Sequence, residues 1–168
     1  GVKGDPISAH KYLYAADNPV SFTDPSGFRI PIQSHRDWGQ IVHTQIGLHF
    51  VAASPGTRLT RHSLAKLLGH GVKAEGIFSY QPDLVDLATK EVYEIKTRAE
   101  FTEAVSQLNG YLVELNLFPG SEWWYPGHTY TPPSHVAIWG GYLYAEIDTP
   151  VGGIITYQMY LNEDPIKA

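Results

Sequence analysis

The repeat of apolar residues changes period along this chain, and that change limits the fold more than any other feature of the sequence. Over residues 34–53, Trp38, Ile41, Val42, Gln45, Leu48, His49 and Ala52 recur at helical spacing. Pro55-Gly56 ends that helix, and a shorter one over residues 63–68 is stopped by Gly69 and Gly71. Residues 72–79, 84–87 and 92–96 then read as three strands, the last two joined by a tight turn at Thr89-Lys90. Thr97 and Glu100 have the spacing of a capping box, in which each end of the pair satisfies a backbone N–H of the other. The helix they open carries an apolar stripe of Phe101, Ala104, Val105, Leu108, Leu112 and Leu115. Past Pro119-Gly120, a loop rich in Trp, Tyr and Pro leads to a final hairpin, residues 135–147 with 153–161. The order α-βββ-α-ββ predicts an α/β fold in which helices flank a mixed sheet.

With 168 residues and 43% apolar composition, the chain is long enough for one domain with a proper core. Residues 1–28 read differently from the rest. Asp5-Pro6, Asn18-Pro19, Asp24-Pro25 and Ser26-Gly27 punctuate them with turns, and they are too few to fold alone. Cysteine is absent, which excludes disulfides, thiolate metal sites and cysteine nucleophiles. No leader with a cleavage site opens the chain, and no apolar run is long enough for a membrane segment.

The net charge of -5 by itself argues against a nucleic-acid partner. Its distribution argues the other way. Between Ala52 and Ala74 lie Arg58, Arg61, His62, Lys66, His70 and Lys73, with no acid among them. From Glu100 onward there are eight acids and one lysine. A basic stretch beside an acidic half fits a surface that faces phosphate, although a solvated helix face explains it almost as well.

Chemistry concentrates in Pro82-Asp83 and Glu94-Ile95-Lys96. Glu94 and Lys96 are two apart on one strand and so share a face, while Ile95 points the other way. With Thr89 and Lys90 as turn residues, Asp83 comes to the same side as Glu94 and Lys96, and Asp86 to the opposite side. A loop of four residues keeps that parity; a loop of three reverses it and favours Asp86. Asp86 and Glu91 are expected as solvated or turn residues. Two carboxylates with a lysine suit a divalent ion that activates water for phosphodiester hydrolysis. A surface ladder of ion pairs is the plainer reading of those three residues taken alone.

Two resemblances add to this. Tyr12-Leu13-Tyr14-Ala15, Asn18-Pro19-Val20 and Asp24-Pro25-Ser26-Gly27 resemble the end of an Rhs/YD-repeat core, where YLYA-x-x-NPV-x-x-x-DPxG marks the junction with a variable C-terminal toxin. The resemblance implies that residues 1–28 are a remnant of the repeat core and residues 29–168 the toxin domain. It further implies a repeat shell in the full-length protein, a cognate immunity protein, and delivery into the cytoplasm of a competing cell. Pro82-Asp83, Glu94-Ile95-Lys96 and, on the following helix, Gln107-x-x-x-Tyr111 together resemble the PD-(D/E)XK nucleases of the restriction-endonuclease fold.

That second resemblance implies metal binding by Asp83, Glu94 and the Ile95 carbonyl, with Mg²⁺ or Mn²⁺ as the ion. Lys96 would assist the water, and Gln107 and Tyr111 would complete the catalytic set. Arg98 and Lys73 are the expected phosphate contacts. Many members also place a glutamate on the first helix; here Gln45, His49 or Glu75 would have to substitute. The implied substrate is DNA, with RNA as the alternative. From other classes, an ADP-ribosyltransferase toxin using a late acid such as Glu146, or a non-catalytic binding module, stays open.

Overall fold

The structure, a computed structural model, describes residues 35–139 and 141–162. The segment read as a repeat-core remnant, and its boundary near Phe28, lie outside them.

Trp38, Val42, Ile46 and Phe50 follow one another at one-turn spacing along α1 (His35–Ala53), and all are buried. The inner face is therefore about one position off the stripe expected from the sequence. Leu48, counted in that stripe, is 62% exposed, and His49 is exposed as well. Burying Ile46 and Phe50 instead is worth roughly 2–3 kcal/mol per side chain in removed apolar area, which favours the rotation seen.

Seven strands form one mixed sheet: β1 (Arg58–Thr60), β2 (Leu84–Asp86), β3 (Glu91–Thr97), β4 (Tyr125–Pro126), β5 (His135–Trp139), β6 (Leu143–Ile147) and β7 (Ile154–Leu161). Their order is β1-β2-β3-β7-β6-β5, with β4 beside β3. β3 runs parallel to β7 and to β4, and every other pairing is antiparallel. A short α2 (Leu64–Leu68) is capped by Ser63, whose hydroxyl accepts the Lys66 N–H at 3.3 Å. α3 (Phe101–Leu117) follows a 3₁₀ turn at Arg98–Glu100. The Glu100 carboxylate accepts the Thr97 N–H at 3.3 Å and the Thr97 hydroxyl at 2.6 Å, so the expected capping residues do start this helix.

Each sheet face carries its own core. On one, Tyr93, Ile95, Ile155 and Tyr157 pack against the inner face of α1. On the other, Val85, Val92 and Ile154 pack against Ala104, Leu108, Tyr111 and Leu115 of α3. A mixed α/β sheet flanked by helices is therefore the architecture.

Three local expectations need correction. Residues 72–79 form no strand; they run through a loop into a 3₁₀ turn at Gly76–Ser79 with Gly76 at φ 55°, a left-handed conformation that breaks extended pairing. β1 takes the place beside β2 instead, pairing Leu59 with Val85. The last hairpin is a three-stranded meander, because Gly141 at φ 82° turns the chain between β5 and β6.

Asp86 and Glu91, expected in solvent, are 3% and 1% exposed. Asp86 is satisfied by Arg58 Nε at 2.9 Å and the Ala88 N–H at 2.9 Å. Glu91 accepts from the Tyr93 hydroxyl at 2.9 Å, the Thr89 hydroxyl at 3.1 Å and the Thr129 hydroxyl. Buried carboxylates persist only when such donors replace water. Among the described residues, no helix is long and apolar enough to cross a membrane.

Candidate active site

The β2–β3 register pairs Asp86 with Glu91 and Leu84 with Tyr93, which leaves a loop of four residues, 87–90. That length preserves the parity that puts Asp83 on the side of Glu94. β2 begins only at Leu84 and Pro82 precedes Asp83, so the backbone ladder stops short of Ile95. The Asp83 side chain takes over: its Oδ2 accepts the Ile95 N–H at 2.8 Å. The carboxylate is thereby fixed at the mouth of the strand pair, beside the Ile95 peptide.

Glu94 lies on the α3 side of β3, between Val92 and Lys96 and opposite Ile154. Only 3% of it is exposed, and its Oε2 has no hydrogen-bond partner among the described residues. Burial, and next the neighbouring Asp83 charge, push its pKa up from 4.5 to about 9, against the opposing pull of Lys96. The Lys96 ammonium stands 3.9 Å from Glu94 and 3.9 Å from Glu103 on α3. Those separations are loose for ion pairs and leave the ammonium donors room for another acceptor.

Gln107 and Tyr111 lie one turn apart on α3, and the Gln107 amide donates to the Tyr111 hydroxyl at 2.5 Å. Burial first, then the Glu94 charge, push the Tyr111 hydroxyl up to about 12. It therefore keeps its proton at neutral pH and can donate it. Asp83 and Tyr80 add to the same shift. The structure thus gathers Asp83, Glu94, Lys96, Gln107 and Tyr111 around the end of β3.

His43 is the residue that sequence reasoning missed. It projects from α1, and its Nδ1 lies 3.2 Å from Asp83 Oδ1. Neither substitute sought on that helix stands there: Gln45 is exposed, and His49 bonds the Tyr130 hydroxyl at 3.0 Å. Glu75 is exposed on the loop before the 3₁₀ turn. A signal for His43 did exist in the glycines one turn to either side, Gly39 and Gly47. A Cβ at Gly39 would lie 2.9 Å from the Tyr157 hydroxyl, and one at Gly47 3.0 Å from Thr60 Cγ2. That side of the helix is closely approached, and the imidazole between the two glycines is drawn in with it.

The expected phosphate contacts fare differently. Arg98 is committed elsewhere, donating to Asp148 at 2.8 and 2.7 Å, Glu146 at 2.7 Å, Tyr160 at 3.1 Å and Gln158 at 3.3 Å. This network ties the chain after β3 to β6 and β7, and it holds the Asp148 carboxyl below the usual range. A phosphate would have to displace two carboxylates, so Arg98 is a brace of the sheet. Lys73 is exposed in the loop before Gly76, with no carboxylate partner among the described residues.

Among the described residues, no group of three or more His, Asp or Glu side chains is already set to hold a metal ion. The donors do suit a weakly coordinated hard cation, which takes one or two carboxylates and fills its shell with water and phosphate oxygen. The orphaned Glu94 Oε2, the charge conflict between Glu94 and Asp83, and the adjacent Ile95 peptide are what such a cation would relieve. No protein-family model, curated protein or solved structure matches the chain.

Proposed function

We propose that this domain is a divalent-metal-dependent nuclease of the PD-(D/E)XK kind, acting on DNA as the toxin end of an Rhs protein. The observation that carries the reading is the Glu94 carboxylate. It is buried with one oxygen unpaired, next to Asp83 and within reach of Lys96, at the end of a strand pair. Leaving a carboxylate oxygen dry and unpartnered costs about 1–3 kcal/mol or more. A fold that tolerates it at a cluster of ionisable groups has the signature of a site built for a ligand.

Asp83 and Glu94, with the Ile95 carbonyl, would hold Mg²⁺ or Mn²⁺. When bound, such an ion neutralises charge developing on the phosphate and lowers the pKa of its water. The remaining steps belong to the chain. The Ile95 N–H and His43 hold the Asp83 carboxylate in one orientation. Lys96 directs the attacking water and offsets charge on the phosphoryl oxygens. Tyr111 keeps its proton, is fixed by Gln107, and can donate to an oxygen of the scissile group. Val92, Ile154 and α3 limit water around Glu94, which strengthens each of these interactions.

The test is digestion of plasmid DNA and of total RNA by the full chain, with Mg²⁺ and with EDTA, beside Lys96→Ala. Metal-dependent loss of plasmid in the wild type alone supports the proposal. Loss of RNA alone keeps the chemistry and changes the target. Absence of both cleavages removes the nuclease. The ADP-ribosyltransferase alternative gains nothing from Glu146, since Arg98 holds that carboxylate at 2.7 Å.

A further inference from the structure

A groove of about 390 Å³ opens beside Asp83, between α1 and the end of β1. His43, Gly47, Thr60, Arg61, Asp83 and Ile95 are among the residues that line it. Two of its walls are thus the candidate catalytic carboxylate and the peptide next to it. A third is Arg61, the first residue past β1.

Arg61 is unusual in two respects. Its backbone sits at φ 50°, the left-handed region that a side chain with a Cβ adopts only under constraint. The chain holds it there by donating the Arg61 N–H to the Asp83 carbonyl at 3.2 Å, directly before Ser63 caps α2. Its guanidinium also has no carboxylate partner among the described residues. Arg58, on β1, is by contrast paired with Asp86 at 2.9 Å. Glycine would fit this backbone without strain. The facing wall of the groove is Gly47, where a Cβ would meet Thr60 Cγ2 at 3.0 Å. The helix and the end of β1 are therefore in close contact at that wall.

We propose that Arg61 anchors a backbone phosphate of the nucleic-acid substrate in this groove, next to the phosphate that meets Asp83. The inference rests on the nuclease reading and adds the path of the strand: along the groove between α1 and β1, with the exposed Lys66 and Lys73 on the basic stretch beyond it. Arg61 binds and positions substrate; it takes no part in moving protons.

The experiment is fluorescence anisotropy with a labelled DNA oligonucleotide and its RNA counterpart, added to the full chain in EDTA over a range of salt, with cleavage in Mg²⁺ measured alongside. Arg61→Ala should weaken binding about fivefold to tenfold and make the slope of log K against log salt shallower by about one, as expected for one lost phosphate contact. Arg61→Lys should recover most of both. Arg61→Gly should melt no lower than the wild type, since it relieves the left-handed strain, and still lose the phosphate contact. Lys90→Ala, at the far end of the β2–β3 hairpin and paired with Glu122, should leave the slope unchanged. Wild-type affinity and slope in Arg61→Ala, in a protein whose wild type binds and cleaves, would overturn this inference and leave the nuclease standing. A wild type that neither binds nor cleaves nucleic acid overturns both.

Discussion

Replacing Glu94 by glutamine tests the site through stability, without any need for a substrate. In the folded, metal-free protein the Glu94 carboxyl is raised from 4.5 to about 9, chiefly by burial and then by Asp83. Between those two values the unfolded chain has released the proton and the folded chain retains it. More protons bound by the native state means that stability falls as pH rises, by about 1.36 kcal/mol per unit. Between about pH 5.5 and about pH 8 the loss amounts to at most ~3 kcal/mol. For a chain of this length that corresponds to a melting temperature lower by about 6–12 °C.

Glutamine has the same shape and does not titrate. Melting the wild type and Glu94→Gln side by side in EDTA, across that pH range, isolates the effect, because the two proteins differ only in that group. The expected outcome is a gap that opens in favour of the variant as pH rises. Addition of Mg²⁺ or Mn²⁺ at the upper end should close the gap by stabilising the wild type only, since binding to the native state adds to its stability. Parallel pH curves for the two proteins would refute the argument that Glu94 is held protonated by its surroundings.

Other outcomes follow from the same geometry. Arg58→Ala removes the partner of buried Asp86 and its guanidinium from the Phe50 and Tyr130 rings, 4.9 and 5.5 Å from their centroids; urea unfolding should show a loss of about 3–5 kcal/mol. Arg98→Ala should lower stability by about 1 kcal/mol, discounted for the third of the side chain in solvent, and leave the salt dependence of nucleic-acid binding as it was. Gly153→Ala places a Cβ at φ 82°, 2.6 Å from Leu108 Cδ2 and 2.9 Å from the Gly127 nitrogen; thermal melting should show one of the largest losses of any alanine substitution, on the order of 3 kcal/mol.

What the sequence determined by itself is local. The capping pair Thr97 and Glu100 and the alternation around Glu94 and Lys96 are set by neighbours a few residues away, and the structure has them where the pattern put them; of the α3 stripe, Ala104, Leu108 and Leu115 are buried, whereas Phe101 is exposed and Tyr111, outside the stripe, is buried. The side that Asp83 takes follows from the length of the loop before Glu91, which the sequence left open and the structure sets at four residues. Tertiary structure decided whatever needed a partner far along the chain. The parallel pairing of β3 with β7 leaves no mark on either strand's own pattern. The burial of Asp86 and Glu91 depends on Arg58 and Thr129, far from each in sequence. Arg98 reads as a free cation until Glu146 and Asp148 arrive beside it. His43 reads as one more polar residue on a helix until the fold carries it across forty residues to Asp83. Charge and hydrogen-bonding groups act at a few ångströms and without regard to sequence distance, so their roles are settled only when the chain has closed on itself.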